Sequence, residues 1–277
     1  LDSQLRDKLL HSAEKMAHSV NYKGLGTFEF LINTEDNSHY FIEANARLQV
    51  EHTVTEVITG QDLVCLQIRV AEGASLDELS LIDAPEIKGS AVQMRVNAEE
   101  IDDQGNVLPK GGTLTQFEPP AGLGIRIDTA AYTNYALPST FDSLLAKIVV
   151  SYPSINFEGL LRRASRALEE FVIEGTSNNL DLLKVLVEDR NLIQGTLNTT
   201  FIDQNAGYLN KAAKSRTSPS LMRAGDQNSA KEIIDKPIPM GSNSVLAPMR
   251  GSVMEIYVEK NQIVSKGDQL ALLEAMK

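Results

Sequence analysis

The sequence predicts an α+β protein followed by a short all-β segment, on two observations. Stretches with apolar residues at helical spacing are mixed with stretches that alternate at strand spacing, without the regular strand–helix–strand order of a doubly wound sheet. Composition then shifts after about Ala206 toward Lys, Ser, Ala and Asp with few large apolar residues, before a β-rich segment begins near Ser244.

The elements follow in order. Leu5, Leu9, Ala13, Met16, Ala17 and Val20 form one apolar stripe, so a helix is expected over 5–20, broken by Gly24 and Gly26. A strand over Thr27–Ile32, a polar turn over Asn33–Ser38 and a second strand from His39 make a hairpin. Helical spacing returns from Val54 to Ala71 and closes at Gly73. Strand-like runs follow at Ala91–Val96, Thr113–Phe117, Gly124–Asp128 and Leu144–Val150, then helices at Phe157–Phe171 and Asn179–Val187. Residues 211–241, which include Pro219, Pro237 and Pro239, read as a mobile linker. The expected domains are 1–84, 85–206, a linker over 207–243 and a partial β domain over 244–277.

Bulk properties exclude some function classes. The 277 residues carry 26 basic and 37 acidic side chains, a net charge of −11 that repels phosphate backbones and anionic lipid. Nucleic-acid and membrane partners are therefore not expected, and no apolar run approaches a membrane span. Cys65 is the only cysteine, which excludes an intrachain disulfide and favours a reducing compartment; its apolar, helix-like surroundings predict a buried structural thiol. The four histidines lack zinc-ligand spacing.

The sharpest signal is Phe41 to Glu51. Ile42, Ala44, Ala46, Leu48 and Val50 alternate with Glu43, Asn45, Arg47, Gln49 and Glu51, so an extended chain would place five functional polar groups on one face. A solvated outer face is the bland alternative, but such faces favour Thr, Lys or Ser. Glu29, between Phe28 and Phe30 on the preceding strand, can be brought beside Glu43 by the turn. Paired carboxylates repel unless a cation lies between them, and oxygen ligands in small number suit Mg2+ or Mn2+ bound together with substrate phosphates.

These residues resemble a known family. Gly26-Thr27-Phe28-Glu29-Phe30-Leu31 and Phe41-Ile42-Glu43-Ala44-Asn45-Ala46-Arg47-Leu48-Gln49-Val50-Glu51-His52 are similar to the C-terminal part of the ATP-grasp region of biotin carboxylases. The resemblance continues through residues 91–99 and Phe141-Asp142-Ser143-Leu144 to about Gln204. It implies that Glu29, Glu43 and Asn45 hold divalent ions on ATP phosphates, and that Arg47 steadies biotin. It implies that Gln49 and the Val50 backbone contact bicarbonate, that Glu51 is the general base toward bicarbonate, and that Arg95 grips bicarbonate and biotin. The implied reaction makes carboxyphosphate from bicarbonate and ATP and then carboxylates biotin, which needs cationic charge neutralisation and a positioned carboxylate. Ala44 and Ala46 stand where family members often carry bulkier residues, and the glycine-rich phosphate loop and front of the ATP-grasp region are absent, so this stretch alone is expected to be inactive.

Val245-Leu246-Ala247-Pro248-Met249-Arg250-Gly251 and the final Glu274-Ala275-Met276-Lys277 are similar to the first half of a biotin carboxyl carrier domain, a lipoyl-like β sandwich. The resemblance makes Lys277 the biotin attachment site, with a biotin protein ligase and a carboxyltransferase domain or subunit as partners; homodimerisation is expected too, with no residue placing the interface. Arg250 departs from the proline more often found there. The short linker favours acetyl-CoA or single-chain acyl-CoA carboxylases, with pyruvate and urea left open as acceptors. A cytoplasmic site is expected, a mitochondrial matrix being the alternative. A non-catalytic biotin-carrier or accessory protein derived from the family is the competing reading, and another ATP-grasp ligase joining a carboxylate to an amine is a third.

Overall fold

The computed structural model describes residues 2–102, 104–137, 142–216 and 252–274. Helix α1 (Ser3–Ser19) starts where the Asp2 side chain accepts from the Leu5 amide, and it buries Leu5 on its apolar stripe. The hairpin follows as β1 (Thr27–Ile32) and β2 (His39–Asn45). Asn33 and Asp36 accept backbone amides two residues on, and Asn37 takes a left-handed φ of 56°, so the polar turn is closed by its own side chains.

The single helix expected over 54–71 is two. Helix α2 (His52–Thr59) ends at left-handed Gly60, and α3 (Leu63–Ala71) begins where Asp62 accepts from the Cys65 amide. Helix α3 buries none of its residues, so the expectation that Cys65 is a buried thiol fails: the side chain is exposed. A hydrogen bond to Asp62 and that carboxylate's charge push its thiol pKa up, away from reactivity.

The second region is built from β3 (Ser90–Asn97), β4 (Glu99–Ile101), β5 (Val107–Pro109), β6 (Gly112–Thr113), β7 (Gln116–Glu118), β8 (Ile125–Thr129), β9 (Ala136–Leu137), β10 (Leu144–Tyr152), α4 (Phe157–Glu170), β11 (Val172–Glu174), α5 (Leu180–Val187), α6 (Arg190–Gln194) and α7 (Phe201–Arg216). Its centre is an antiparallel sheet in the order β3-β10-β8. Central strand β10 buries Leu145, Ala146, Ile148, Val149 and Val150, the near-continuous apolar run expected of a strand covered on both faces. Helix α4, capped by Asn156, lays Leu160, Ala164, Ala167 and Leu168 against Met94, Val96, Ala146, Ile148 and Val150. Each fully buried Leu there stabilises the fold by about 2 kcal/mol. Helix α2 covers the opposite face of the same sheet.

That opposite face carries the polar exceptions. Pairing sets Arg95 beside Lys147 and Lys147 beside Asp128, and in the next row Gln93 beside Val149 and Val149 beside Arg126. The sheet is thus apolar toward α4 and charged where it meets α2 and the chain that leads into it.

Helix α7 extends to Arg216, so residues 207–216 of the expected linker are helical. They are tied down by Leu209 in the interior, by the Asn210 amide on the Ile101 carbonyl at 2.6 Å, and by Arg216 paired with Glu188 and Glu169. Beyond residue 216 the expected linker lies outside the described residues. In the last segment β12 (Ser252–Ile256) pairs antiparallel with β13 (Ala271–Glu274), leaving Met254, Ile256 and Ile263 exposed. Val245–Gly251 and Lys277 lie outside the described residues.

Candidate active site

The β1–β2 register sets Glu29 directly opposite Glu43, and Thr27 opposite Asn45. Like charges placed in this way destabilise a sheet unless something lies between them. Here the Asn45 amide does: its Nδ2 donates to Glu43 Oε1 at 2.9 Å and to Glu29 Oε1 at 3.0 Å. The Gln49 Nε2 adds a 3.1 Å bond to the same Glu29 oxygen.

The expected single extended face does not persist past Asn45. β2 stops there, the chain bends at Arg47, and Val50–Glu51 turn into α2, with Glu51 already in helical geometry (φ −79°, ψ −2°). Two bonds to the Gln49 carbonyl, from the His52 backbone amide (3.2 Å) and ring Nδ1 (2.7 Å), close this turn. The fold regroups the side chains by other means: Gln49 folds back to Glu29, and Glu51 Oε1 accepts from Arg95 across from β3. Arg47 is exposed and, among the described residues, donates to its neighbour's carbonyl, Leu48 O, at 3.3 Å. Of the predicted residues, Glu29, Glu43, Asn45 and Gln49 form one cluster and Glu51 with Arg95 another, joined by the turn. Val50 lies between them, and its carbonyl faces Lys147 Nζ at 3.4 Å.

Beneath the turn lies a charged network that the sequence did not single out. Glu56 is buried; its Oε1 accepts the Leu63 amide at 2.9 Å and its Oε2 accepts Arg126 at 2.6 Å. Arg126 also grips Asp128 through two bonds of 2.8 and 3.0 Å, and Lys147 reaches Asp128 at 3.3 Å. Burial pushes the Asp128 carboxyl up, but the Arg126 bonds and the charges of Arg126 and Lys147 outweigh it and hold the group below its ordinary range. Buried Thr53 donates to Gln93, fastening α2 to β3. A lone lysine within the apolar run of β10 and the Arg-Ile-Asp alternation in β8 were the available signals.

The carboxylate pair tests whether a divalent ion fits. No group of three or more His, Cys, Asp or Glu able to hold a metal occurs among the described residues. A magnesium-type ion needs only one or two carboxylates when nucleotide phosphates complete its shell, so two opposed carboxylates with an amide between them suit it. The Asn45 NH2 group occupies the place of positive charge between them, and rotation of that amide would present its oxygen instead.

No helix among the described residues is long and apolar enough to cross a membrane. Comparison with known proteins places the chain. Residues 93–204 match the biotin carboxylase C-terminal domain, and residues 1–79 match the carbamoyl-phosphate synthase L chain ATP-binding domain. Biotin carboxylase 1 of Bacillus subtilis is 41% identical over 204 residues, 73% of this chain and 44% of that protein. Pyruvate carboxylase 1 of Caenorhabditis elegans is 40% identical over 74% of this chain and 17% of its own length. Among solved structures, a single-chain, multi-domain long-chain acyl-CoA carboxylase covers 100% of this chain with 26% of its own, at 35% identity and a TM-score of 0.71. The biotin carboxylase domain dimer of the Hydrogenobacter thermophilus 2-oxoglutarate carboxylase, in complex with MgADP, ADP and bicarbonate, matches at 32% identity and TM-score 0.67 over 76% of this chain and 45% of that one. The chain therefore spans less than half the length of these relatives. The chain thus carries a biotin carboxylase C-terminal domain behind an ATP-binding domain of the carbamoyl-phosphate synthase L-chain type, and its homologues are biotin carboxylases and pyruvate carboxylases.

Proposed function

We propose that these residues serve ATP-dependent carboxylation of carrier-held biotin by bicarbonate, within a longer biotin-dependent carboxylase. The observation that supports this reading most is the turn that puts the Glu51–Arg95 pair next to the Glu29–Glu43 pair. A divalent ion at the carboxylate pair supplies positive charge to the nucleotide phosphates. Glu29 and Glu43 hold it from opposite strands, with Asn45 completing the protein's share. Arg95 presents its guanidinium to the bicarbonate anion, a planar fork matched to a planar carboxylate-type group. Glu51, more than half exposed, accepts the bicarbonate proton, with Gln49 and the Val50 amide orienting the anion. Arg47, exposed at the bend, is free to reach biotin.

The carrier part of the proposal rests on Ala275-Met276-Lys277 following β13. The match of the whole chain to a single-chain acyl-CoA carboxylase supports a carrier downstream of the carboxylase part and an acyl-CoA acceptor. Partners are then biotin protein ligase and a carboxyltransferase, with a homodimer as in the 2-oxoglutarate carboxylase domain.

Streptavidin capture of the native protein followed by tryptic mass analysis tests the carrier. The peptide containing Lys277 is expected to carry the biotin mass and to resist cleavage there; an unmodified lysine removes the assignment. Glu43→Gln tests the metal site. It is expected to raise the magnesium concentration needed for half-maximal activity by about tenfold, since one charged ligand of two is lost. An unchanged magnesium dependence contradicts the ligand role.

A further inference from the structure

We propose that Lys147 is a positioning residue that sets the orientation of the Val50–Glu51 peptide, and through it the reach of Glu51. The inference rests on the reading of Glu51 as the proton acceptor. In strand β10 every neighbour of Lys147 from Leu145 to Val150 is buried and apolar, yet this side chain, only 12% exposed, points out of the face that meets α2. Pairing places it directly beside Arg95 on one side and Asp128 on the other. Its ammonium lies 3.3 Å from Asp128 Oδ2 and 3.4 Å from the Val50 carbonyl.

Two successive peptide groups of the turn are thereby pinned from different places. His52 holds the Gln49 carbonyl, which fixes the direction of the Val50 amide in the same peptide plane. Lys147 holds the Val50 carbonyl, which fixes the next plane and the point from which the Glu51 side chain departs. Arg95, beside Lys147, takes the Glu51 carboxylate itself. The sheet thus grips the turn twice, once by main chain and once by side chain. Without the first grip the 50–51 peptide is free to rotate, and Arg95 alone does not fix where the carboxylate stands. Asp128 keeps the ammonium aimed, and Arg126 keeps Asp128 in place.

The test compares Lys147→Met, Lys147→Gln and Lys147→Arg in the complete carboxylase. Misplacing a reacting group by about an ångström lowers turnover by up to about a hundredfold. Lys147→Met is expected to lose about that much in kcat/KM for bicarbonate, with the KM for ATP and magnesium within about twofold of wild type. Lys147→Arg, which can still reach both acceptors, is expected to recover most of the loss. Lys147→Gln has a shorter stem and no charge; it serves as the neutral variant if Lys147→Met does not fold. Thermal midpoints separate folding from positioning. The proposal is overturned if bicarbonate and ATP parameters worsen together, if the neutral variants are unaffected, or if Lys147→Arg fails as badly as they do. A Glu51→Gln enzyme that stays active would remove the base reading instead, while a selective bicarbonate effect at Lys147 would still show that it holds the turn.

Discussion

Glu51→Gln in the complete carboxylase is expected to lower bicarbonate-dependent biotin carboxylation by about a hundredfold to ten-thousandfold, the usual contribution of a positioned acid or base. The substitution keeps the side-chain length and leaves an oxygen for Arg95 to donate to, so the contact across to β3 survives in shape while the proton acceptor is lost. Because the side chain is more than half exposed and caps nothing in α2, the thermal midpoint should not move. ATP binding should persist, since Glu29 and Glu43 belong to a different pair of strands. Steady-state rates with free biotin, set beside a melting curve, check both halves; a near-normal rate would give the proton to another group.

Arg126→Met should be the most destabilising single change near the site. It leaves Glu56, only 6% exposed, without its cation. Removing one partner of a buried pair costs about 3–5 kcal/mol; because Arg126 is itself 40% exposed, water can partly take its place, and about 2 kcal/mol is the expected loss in denaturant unfolding. Combining it with Glu56→Gln should restore part of that loss by removing the stranded charge. The loss also depends on pH through Asp128, whose folded pKa is depressed against burial by the Arg126 bonds and the nearby cations. A depressed carboxyl stabilises the fold above its unfolded pKa of about 3.9, and that stabilisation disappears as pH falls through the folded value. The gap between wild type and variant should therefore be full near neutrality and narrow below about pH 4. A pH-independent gap would assign the loss to the packing of the Arg126 stem and not to its charge.

What the sequence made legible was local. The period-two pattern around Glu29 and Glu43 predicts the hairpin and its opposed carboxylates, and the helical spacing over Phe157–Phe171 predicts α4. The same pattern misled after Asn45, because Leu48 and Val50 keep alternating through a bend and a turn where the backbone is no longer extended. Helical spacing likewise ran across Gly60, where only the left-handed cap shows that two helices meet. Cys65 was misplaced because an apolar run does not say which face is covered. The supporting charges were invisible for a different reason. Glu56 and Arg126 are 70 residues apart, and Val50 and Lys147 are 97 apart, so no window of sequence contains both members of either contact.

Those separations bear on how the protein comes into being. During synthesis the hairpin with Glu29 and Glu43 can form early, since its strands are neighbours in the chain. The β3-β10-β8 sheet must wait for its central strand, which arrives last of the three. Until β10 inserts, β3 and β8 lack their common partner, and the Val50 carbonyl and Asp128 lack their ammonium. Long-range strand pairing of this kind is slow, so the turn around Glu51 should be pinned only after the Glu29–Glu43 pair has assembled. A ribosome that pauses before residue 144 would hold a chain with its carboxylate pair assembled and its reactive turn still unpinned.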